Sequence, residues 1–361
     1  MKKVCFFSGD ITRGGGTERV SVMLANELVK QKKYEICFLS LCEQQEEPFF
    51  PLSPEIPRYH LGNRWLSPGP GYLPLVPRLR RFLKSNHIDL IIDIDIVLDV
   101  LSIPAVVGLG TRVLSWEHSN CFFEQSIWYR KAILKFSVKH SDYVVTLTEG
   151  DKANYKRMLK RTERIEAIYN PMEEIEVFPH QPKEKMILTV GHLVEGKGIS
   201  YLLEIAPRVL KEYPDWTWYL LGDGPEKDAV ERVVQTQALE GRLVAAGRVG
   251  NVGDYLRRAE LMVMTSKSEG LPMCLLEAKA YGIPCVSFDI PTGPAEIIRD
   301  GENGYLIPPF DCRQMSEKIM ALMGREELRR NFAAATGLDR DKFRMQQILE
   351  KWNRVLDELC E

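Results

Sequence analysis

The 361-residue chain contains no apolar run that approaches the roughly 20 residues needed to span a bilayer. Its first residues read as a β-strand and lack the architecture of a signal peptide. The eight cysteines are scattered without Cys-x-x-Cys spacing, which argues against disulfides and zinc sites and for buried free thiols in a reducing compartment. No block rich in lysine and arginine marks a nucleic-acid partner. These absences predict a cytoplasmic protein. A chain of 361 residues is long enough for two domains.

Strand-like and helix-like segments alternate along the chain, a pattern typical of parallel sheets with helices on both faces. The predicted strands lie near residues 3–8, 35–40, 89–93, 112–116, 143–147 and 164–168, and then near 186–190, 216–221, 243–246, 260–265, 284–288 and 304–307. The two series predict an α/β protein with two Rossmann-like domains, residues 1–172 and 173–340. The boundary falls in the polar, proline-containing stretch 170–185.

The most informative segment is residues 269–277, Glu-Gly-Leu-Pro-Met-Cys-Leu-Leu-Glu. A predicted strand ends just before it, and Pro272 suits the first turn of a following helix, where its missing N–H costs nothing. Gly270 lets the backbone approach a ligand closely. The free N–H groups of a helix start attract phosphate, with Met273 and Cys274 as the expected donors. Because the acid at each end of the segment accepts hydrogen bonds from hydroxyls, the segment predicts a nucleotide-sugar site.

Glu269 and Glu277 resemble the acidic pair of retaining glycosyltransferases of the GT-B fold, family 4, and the runs 283–289 and 300–306 resemble the same family. The resemblance implies two Rossmann-like domains that face a cleft. It also implies that residues 341–361 form a helix that crosses back to the first domain.

The resemblance further implies roles for the residues around the acidic pair. The donor-site residues are Glu269 for a sugar hydroxyl, Glu277 for the ribose hydroxyls, Gly270 and Leu271 beside them, and Arg248 and Val249 for the base.

A glycine-rich turn, residues 191–198, follows the first strand of the second domain, where parallel sheets bind ligands. Lys197 can supply a positive charge to a diphosphate. His192 occupies a position where the family usually has arginine, so this chain departs from the family there. Histidine is a titratable cation, and His192 either contacts the diphosphate or caps the turn.

The first domain offers a second glycine-rich loop, residues 13–19, ahead of its first helix. It resembles the family's loop at the donor diphosphate, which implies that Gly15 and Gly16 contact the donor and that Thr17 lies on the acceptor side. His118, at a predicted strand end, matches the residue that touches the donor sugar. A plain flexible turn and a structural histidine are the alternatives.

Asp93 and Asp95 form an Asp-x-Asp pair, the metal anchor of a different glycosyltransferase fold. The pair lies away from both nucleotide segments, so no metal site is predicted, and Asp95 is placed on the acceptor side.

Residues 1–172 carry 24 Lys and Arg against 19 Asp and Glu, a net charge of +5, whereas the remainder carries 24 against 31, a net charge of −7. In residues 122–140, Lys131, Lys135 and Lys139 form a stripe beside apolar and aromatic positions. Such a helix can lie on an anionic membrane. The alternative is a solvated basic edge.

The sequence therefore predicts a metal-independent hexosyltransferase without a cofactor. Its donor is a nucleoside diphosphate sugar, such as a UDP-hexose or UDP-N-acetylhexosamine, and its acceptor is a saccharide or a polyprenyl-diphosphate-linked saccharide of surface polysaccharide assembly. A catalytically silent GT-B scaffold and a Rossmann oxidoreductase are the alternatives. The absence of a Gly-x-Gly-x-x-Gly fingerprint counts against the oxidoreductase.

Overall fold

The computed structural model describes residues 1–62, 70–72, 74–172 and 184–361. They form two compact units, one made of Met1–Pro171 with Met345–Glu361 and the other of Met172–Arg344. Residues 173–183, which make up most of the predicted boundary stretch, lie outside the described residues. Each unit is built on a parallel β-sheet whose strands are connected mainly through helices, as predicted.

The strands of the first unit are β1 (Lys2–Ser8), β2 (Tyr34–Ser40), β3 (Arg58–His60), β4 (Leu90–Ile94), β5 (Arg112–Trp116), β6 (Tyr143–Thr146) and β7 (Ile165–Ala167). They form one sheet in the order β3-β2-β1-β4-β5-β6-β7. The sequence predicts all of them except β3. That strand is a short edge strand without a buried residue, so its sequence contains no apolar run that would predict it.

The helices described in the first unit are α1 (Gly16–Lys30), α2 (Leu75–Ser85), α3 (Asp99–Val106), α4 (Cys121–Ser126), α5 (Trp128–His140), α6 (Glu149–Leu159) and α14 (Met345–Cys360). Helix α14 buries Ile348, Trp352 and Val355, which lie at helical spacing on one face. The ring of Trp352 contacts that of Trp116, with centroids 4.8 Å apart. The predicted return of the C-terminal helix to the first unit is therefore confirmed.

The strands of the second unit are β8 (Met186–Val190), β9 (Thr217–Leu221), β10 (Leu243–Gly247), β11 (Leu261–Met264), β12 (Cys285–Phe288) and β13 (Gly304–Ile307). They form a sheet in the order β10-β9-β8-β11-β12-β13. Its described helices are α7 (Ile199–Glu212), α8 (Lys227–Thr236), α9 (Val252–Leu256), α10 (Met273–Ala280), α11 (Pro294–Ile297), α12 (Cys312–Gly324) and α13 (Glu326–Ala335). The unit has a core of its own, which includes the buried Trp216 and Trp218.

In both sheets the strand order reverses beside the first strand of the unit. Strand β1 lies between β2 and β4, and β8 lies between β9 and β11. Open parallel sheets bind ligands at the carboxyl ends of the strands at such a switch point. In the second unit this topology brings the loop after β8 next to the loop after β11.

Among the described residues, no helix combines the length and the apolar composition needed to cross a membrane. All eight cysteines lie in the described residues and are free thiols, as predicted.

Candidate active site

The loops after β8 and β11 pack against each other at the switch point of the second unit. The N–H of Lys267 donates to the carbonyl oxygen of Gly196 (2.9 Å), and the Thr265 hydroxyl donates to the carbonyl oxygen of Lys197 (3.1 Å). Gly198 has a φ of +65°, and a Cβ there would overlap the carbonyl oxygen of Thr265. Glycine at position 198 is therefore required for the two loops to come this close.

This close approach joins two of the predicted site residues, Lys197 and Glu269. The Lys197 Nζ lies 2.6 Å from Glu269 Oε1, and the Glu269 side chain is 12% exposed, against 37% for Lys197. Burial lowers the pKa of Lys197, but the charge and the hydrogen bond of Glu269 outweigh burial, so the pKa is raised above its ordinary value. The sequence predicts both residues for the site but not their contact.

A second ion pair joins the same two loops, but here the acid belongs to the β8 loop and the lysine to the β11 loop. Glu195 of the β8 loop lies 2.9 Å from Lys267 of the β11 loop. Glu195 is 82% exposed, so solvent and salt screen this pair far more than the first. Lys197, rather than Lys267, is therefore the lysine with a shielded acidic partner.

Helix α10 starts beside this ion pair. Pro272 is its N-cap and Met273 its first residue, so the first two helical amides belong to Met273 and Cys274, as predicted. The Cys274 thiol lies 3.9 Å from the sulfur of Met264 in β11, and burial raises its pKa. The Cys274 thiol is therefore packed against β11, whereas its backbone amide lies in the first turn of α10.

The loop that leads into α10 is held in place by the segment after β12. The Thr292 hydroxyl donates to the carbonyl oxygen of Glu269 (2.6 Å). Gly293 has a φ of +99°, and a Cβ there would lie 2.7 Å from Pro272 Cδ and 2.8 Å from the carbonyl oxygen of Gly270. Thr292 and Gly293 therefore position this loop. Neither residue is predicted for the site from the sequence, although a glycine before Pro294 after a strand is a signal of such a turn.

Glu277 is the fifth residue of α10 and is partly buried, just over one turn into the helix. Leu271 is buried in the preceding loop. His192 is exposed two residues after β8, and its carbonyl oxygen accepts the N–H of Val194 (2.9 Å). Arg248 and Val249 follow β10, which is separated from β8 by β9, so they lie two strands away from the ion pair.

In the first unit, helix α1 begins at Gly16 with Gly15 as its N-cap and Thr17 in its first turn. The carboxylate of Glu18 accepts hydrogen bonds from its own N–H and from that of Gly15. Burial raises the pKa of Glu18, and these hydrogen bonds only partly offset the rise. The sequence predicts that this helix start faces a diphosphate, and it does not predict that a carboxylate of the chain binds the Gly15 amide.

His118 lies two residues after the end of β5 and is partly buried, with its ring centroid 4.3 Å from that of Trp116. Its Nε2 is buried and has no hydrogen-bond partner among the described residues. Burial lowers the pKa of His118 to about 3, so the ring is neutral near pH 7. A neutral imidazole with an unsatisfied nitrogen can make one hydrogen bond to a ligand. Its role stays a prediction.

Asp93 and Asp95 have different surroundings. Asp93 is fully buried, accepts a hydrogen bond from Ser102 (2.7 Å), and has its pKa raised by burial and by Asp99. The Asp95 side chain is 39% exposed, and its Oδ1 lies 3.1 Å from the Arg130 guanidinium. The backbone of Asp95 has a φ of +90°. Because the two carboxylates have separate partners, the geometry gives no support to a metal-binding pair.

Arg130 connects Asp95 to a second acid, Glu124. The guanidinium donates to both oxygens of the buried Glu124 carboxylate at 2.7 Å. Neither Arg130 nor Glu124 is predicted from the sequence. Asp95 lies 35 residues before Arg130 in the sequence, and one arginine among the lysines of α5 gives no separate signal.

Two family models match the chain. The model of Glycosyl transferases group 1 matches residues 172–337, and that of Glycosyltransferase Family 4 matches residues 14–174. An uncharacterized glycosyltransferase of Haemophilus influenzae is 30% identical over 99% of this chain and 100% of its own length.

A Campylobacter jejuni protein is 25% identical over 99% of each chain, and its name is GalNAc-alpha-(1->4)-GalNAc-alpha-(1->3)-diNAcBac-PP-undecaprenol alpha-1,4-N-acetyl-D-galactosaminyltransferase. A crystal structure of S. aureus TarM with fondaparinux, alpha-GlcNAc-glycerol and UDP superimposes with a TM-score of 0.83 at 16% identity, over 98% of this chain and 99% of that one. The predicted GT-B fold is thereby confirmed. The chain belongs to the glycosyl transferases group 1 family.

Proposed function

We propose that this glycosyltransferase moves a sugar from a UDP-hexose or a UDP-N-acetylhexosamine to a saccharide or a polyprenyl-diphosphate-linked saccharide, with retention at the anomeric carbon. The UDP in the TarM crystal supports the nucleotide, and the undecaprenol-linked acceptor in the Campylobacter name supports the acceptor class. The observation that carries the proposal is the Lys197–Glu269 pair next to the start of α10. A cation, an acid and a helix N-terminus there suit a diphosphate joined to a sugar.

The proposed donor contacts are those that the family resemblance implies. The diphosphate binds Lys197 and His192, together with the amides of Met273 and Cys274. Helix N-termini and lysine side chains both favour phosphate oxygens. The other donor contacts are Glu277 to the ribose hydroxyls, Glu269 to a sugar hydroxyl, Gly270 and Leu271 in the loop beside them, and Arg248 and Val249 to the base.

From the first unit, the amides of Gly15 and Gly16 bind the donor, which takes the place of the Glu18 carboxylate at the Gly15 amide, and His118 binds the donor sugar. The unsatisfied Nε2 of His118 supports that contact. Thr17 and the partly exposed Asp95 lie on the acceptor side.

The reaction exchanges one bond to the anomeric carbon for another on the same face. The bond to the diphosphate oxygen breaks, the bond to the acceptor oxygen forms, and the acceptor proton passes to the departing phosphate oxygen. The protein contributes by positioning the reactants and by stabilising negative charge on the leaving group. Lys197 and the α10 amides supply that charge stabilisation without a metal ion.

Calorimetric titration with UDP, GDP and NAD, followed by NMR analysis of the glycoside formed, tests the proposal. We expect binding of UDP, transfer from a UDP-sugar and an unchanged anomeric configuration. Binding of NAD in place of UDP would support the oxidoreductase alternative. Binding of UDP without transfer to any lipid-linked or free saccharide would support the scaffold, and an inverted product would refute retention.

We also propose that the first unit contacts an anionic membrane surface through α4 and α5. The Trp128 side chain is 83% exposed, and the neighbouring Phe122, Phe123 and Tyr129 are also exposed. Lys131, Lys135 and Lys139 are exposed along α5. Exposed aromatic side chains beside lysines suit a lipid headgroup region.

Flotation with liposomes that contain anionic lipid tests this contact. We expect binding that weakens with added salt and is lost when the three α5 lysines are changed to glutamate. Changing Lys156 and Arg157 of α6 and Lys160 at its C-cap to glutamate is the matched control, because it alters the net charge equally at other exposed positions of the same unit. Equal loss with both triple variants would indicate attraction by overall charge only.

A further inference from the structure

Lys197 and Glu269 are assigned to different parts of the donor, yet they bind each other in this structure at 2.6 Å. We propose that Glu269 is an internal substitute for the donor diphosphate. The diphosphate displaces it from Lys197, and the released carboxylate then accepts a hydrogen bond from the donor sugar. This inference rests on the proposed function, and it couples recognition of the nucleotide to recognition of the sugar.

The geometry allows the exchange because backbone contacts hold the two loops together, whereas the ion pair itself joins only side chains. Backbone hydrogen bonds and the close contact at Gly198 hold the β8 loop on the β11 loop. The backbone of Glu269 is fixed separately, by Thr292. Lys197 can therefore change partner by side-chain rotation, and neither loop has to separate from the other.

The charges favour the diphosphate over Glu269 as the partner of Lys197. A diphosphate carries more negative charge than one carboxylate, so it competes effectively for the Lys197 ammonium. Glu269 is largely shielded from solvent and would then lose its cation close to an anion. A hydrogen bond that a sugar hydroxyl donates to the Glu269 carboxylate compensates for that loss. UDP alone cannot supply that hydroxyl, so Glu269 opposes the binding of UDP more than that of a UDP-sugar.

A mutation of Glu269 should therefore have opposite effects on two measurements. Glu269→Gln keeps the side-chain shape but removes the charge that holds Lys197. We expect UDP to bind about two- to fivefold more tightly, the range that a partly exposed ion pair supports. We expect the turnover of the UDP-sugar to fall, because the charged acceptor for the sugar hydroxyl is lost.

Calorimetric titration of UDP into four proteins tests the exchange: the wild type, Glu269→Gln, Lys197→Met and the double variant. Lys197→Met should weaken UDP binding, and in that background Glu269→Gln should no longer tighten it. Glu195→Gln is the matched control. It breaks the exposed ion pair that joins the same two loops and should leave UDP affinity unchanged. Glu269→Ala, which also removes the charge, replaces Glu269→Gln if that variant does not fold.

Three results would overturn the inference while the wild type binds UDP. The first is unchanged or weaker UDP binding in Glu269→Gln. The second is tightening that persists in the Lys197→Met background, which would indicate general charge repulsion. The third is equal tightening in Glu195→Gln, which would indicate loosening of the loops. A wild type that binds no UDP would instead refute the proposed function.

Discussion

Gly293 offers a direct test of how the structure positions the loop before α10. A Cβ at this position would lie 2.8 Å from the carbonyl oxygen of Gly270 and 2.7 Å from Pro272 Cδ. Since non-bonded heavy atoms prefer separations of about 3.5 Å, Gly293→Ala should push the loop before α10 by roughly 0.7 Å. That loop carries Glu269 and leads to the Met273 amide.

A displacement of that size should be visible in kinetics. Misplacing catalytic groups by about 1 Å can cost on the order of a hundredfold in rate. We therefore expect Gly293→Ala to lower turnover by about 10- to 100-fold and to weaken UDP binding. Steady-state kinetics and titration on the same preparation measure both effects.

The control is Gly241→Ala. Gly241 has a φ of +70°, and a Cβ added there would meet no atom within 4 Å, so alanine at this position carries backbone strain without a collision. That strain should cost about 1–2 kcal/mol of stability and leave kinetics unchanged. A thermal unfolding midpoint measured for both variants separates instability from displacement. If Gly293→Ala matches Gly241→Ala in turnover and affinity, the segment after β12 does not position the loop before α10 for catalysis.

Three further predictions concern the acids. Glu277→Ala should weaken UDP binding by roughly 1.5–3 kcal/mol, the range for hydrogen bonds to a charged group, and unchanged affinity in the folded variant would remove Glu277 from the site. Transfer activity should survive EDTA, whereas loss with EDTA and rescue by Mn²⁺ or Mg²⁺ would make Asp95 a candidate ligand. Burial raises the pKa of Asp151 to about 7, so the folded state holds this proton more tightly than the unfolded chain, and its contribution to stability is lost as pH rises from about 4 to 7. Asp151→Asn should therefore raise the thermal midpoint relative to the wild type at pH 8 but not at pH 4, and an equal shift at both values would contradict this assignment.

Local sequence pattern determined most of the secondary structure of this protein. Buried parallel strands are continuous apolar runs, and helices repeat their apolar residues with a period near 3.6, so both types of element are visible in one sequence. Local chemistry also predicts the start of α10 to within one residue, because proline suits a helix start; Pro272, expected in the first turn, is the N-cap. The edge strand β3 was missed because its exposed residues carry no such pattern.

The strand order, and with it the contacts of the site, was decided by tertiary structure alone. Lys197 and Glu269 are 72 residues apart, and they meet because β8 and β11 are neighbours in the sheet. Nothing in the local pattern of either loop encodes that neighbour. The same holds for Asp93 and Asp95, which are two residues apart in sequence but have different partners in the fold. Residue type shows which chemistry a side chain can perform, whereas its partner and its burial depend on which elements the fold packs around it.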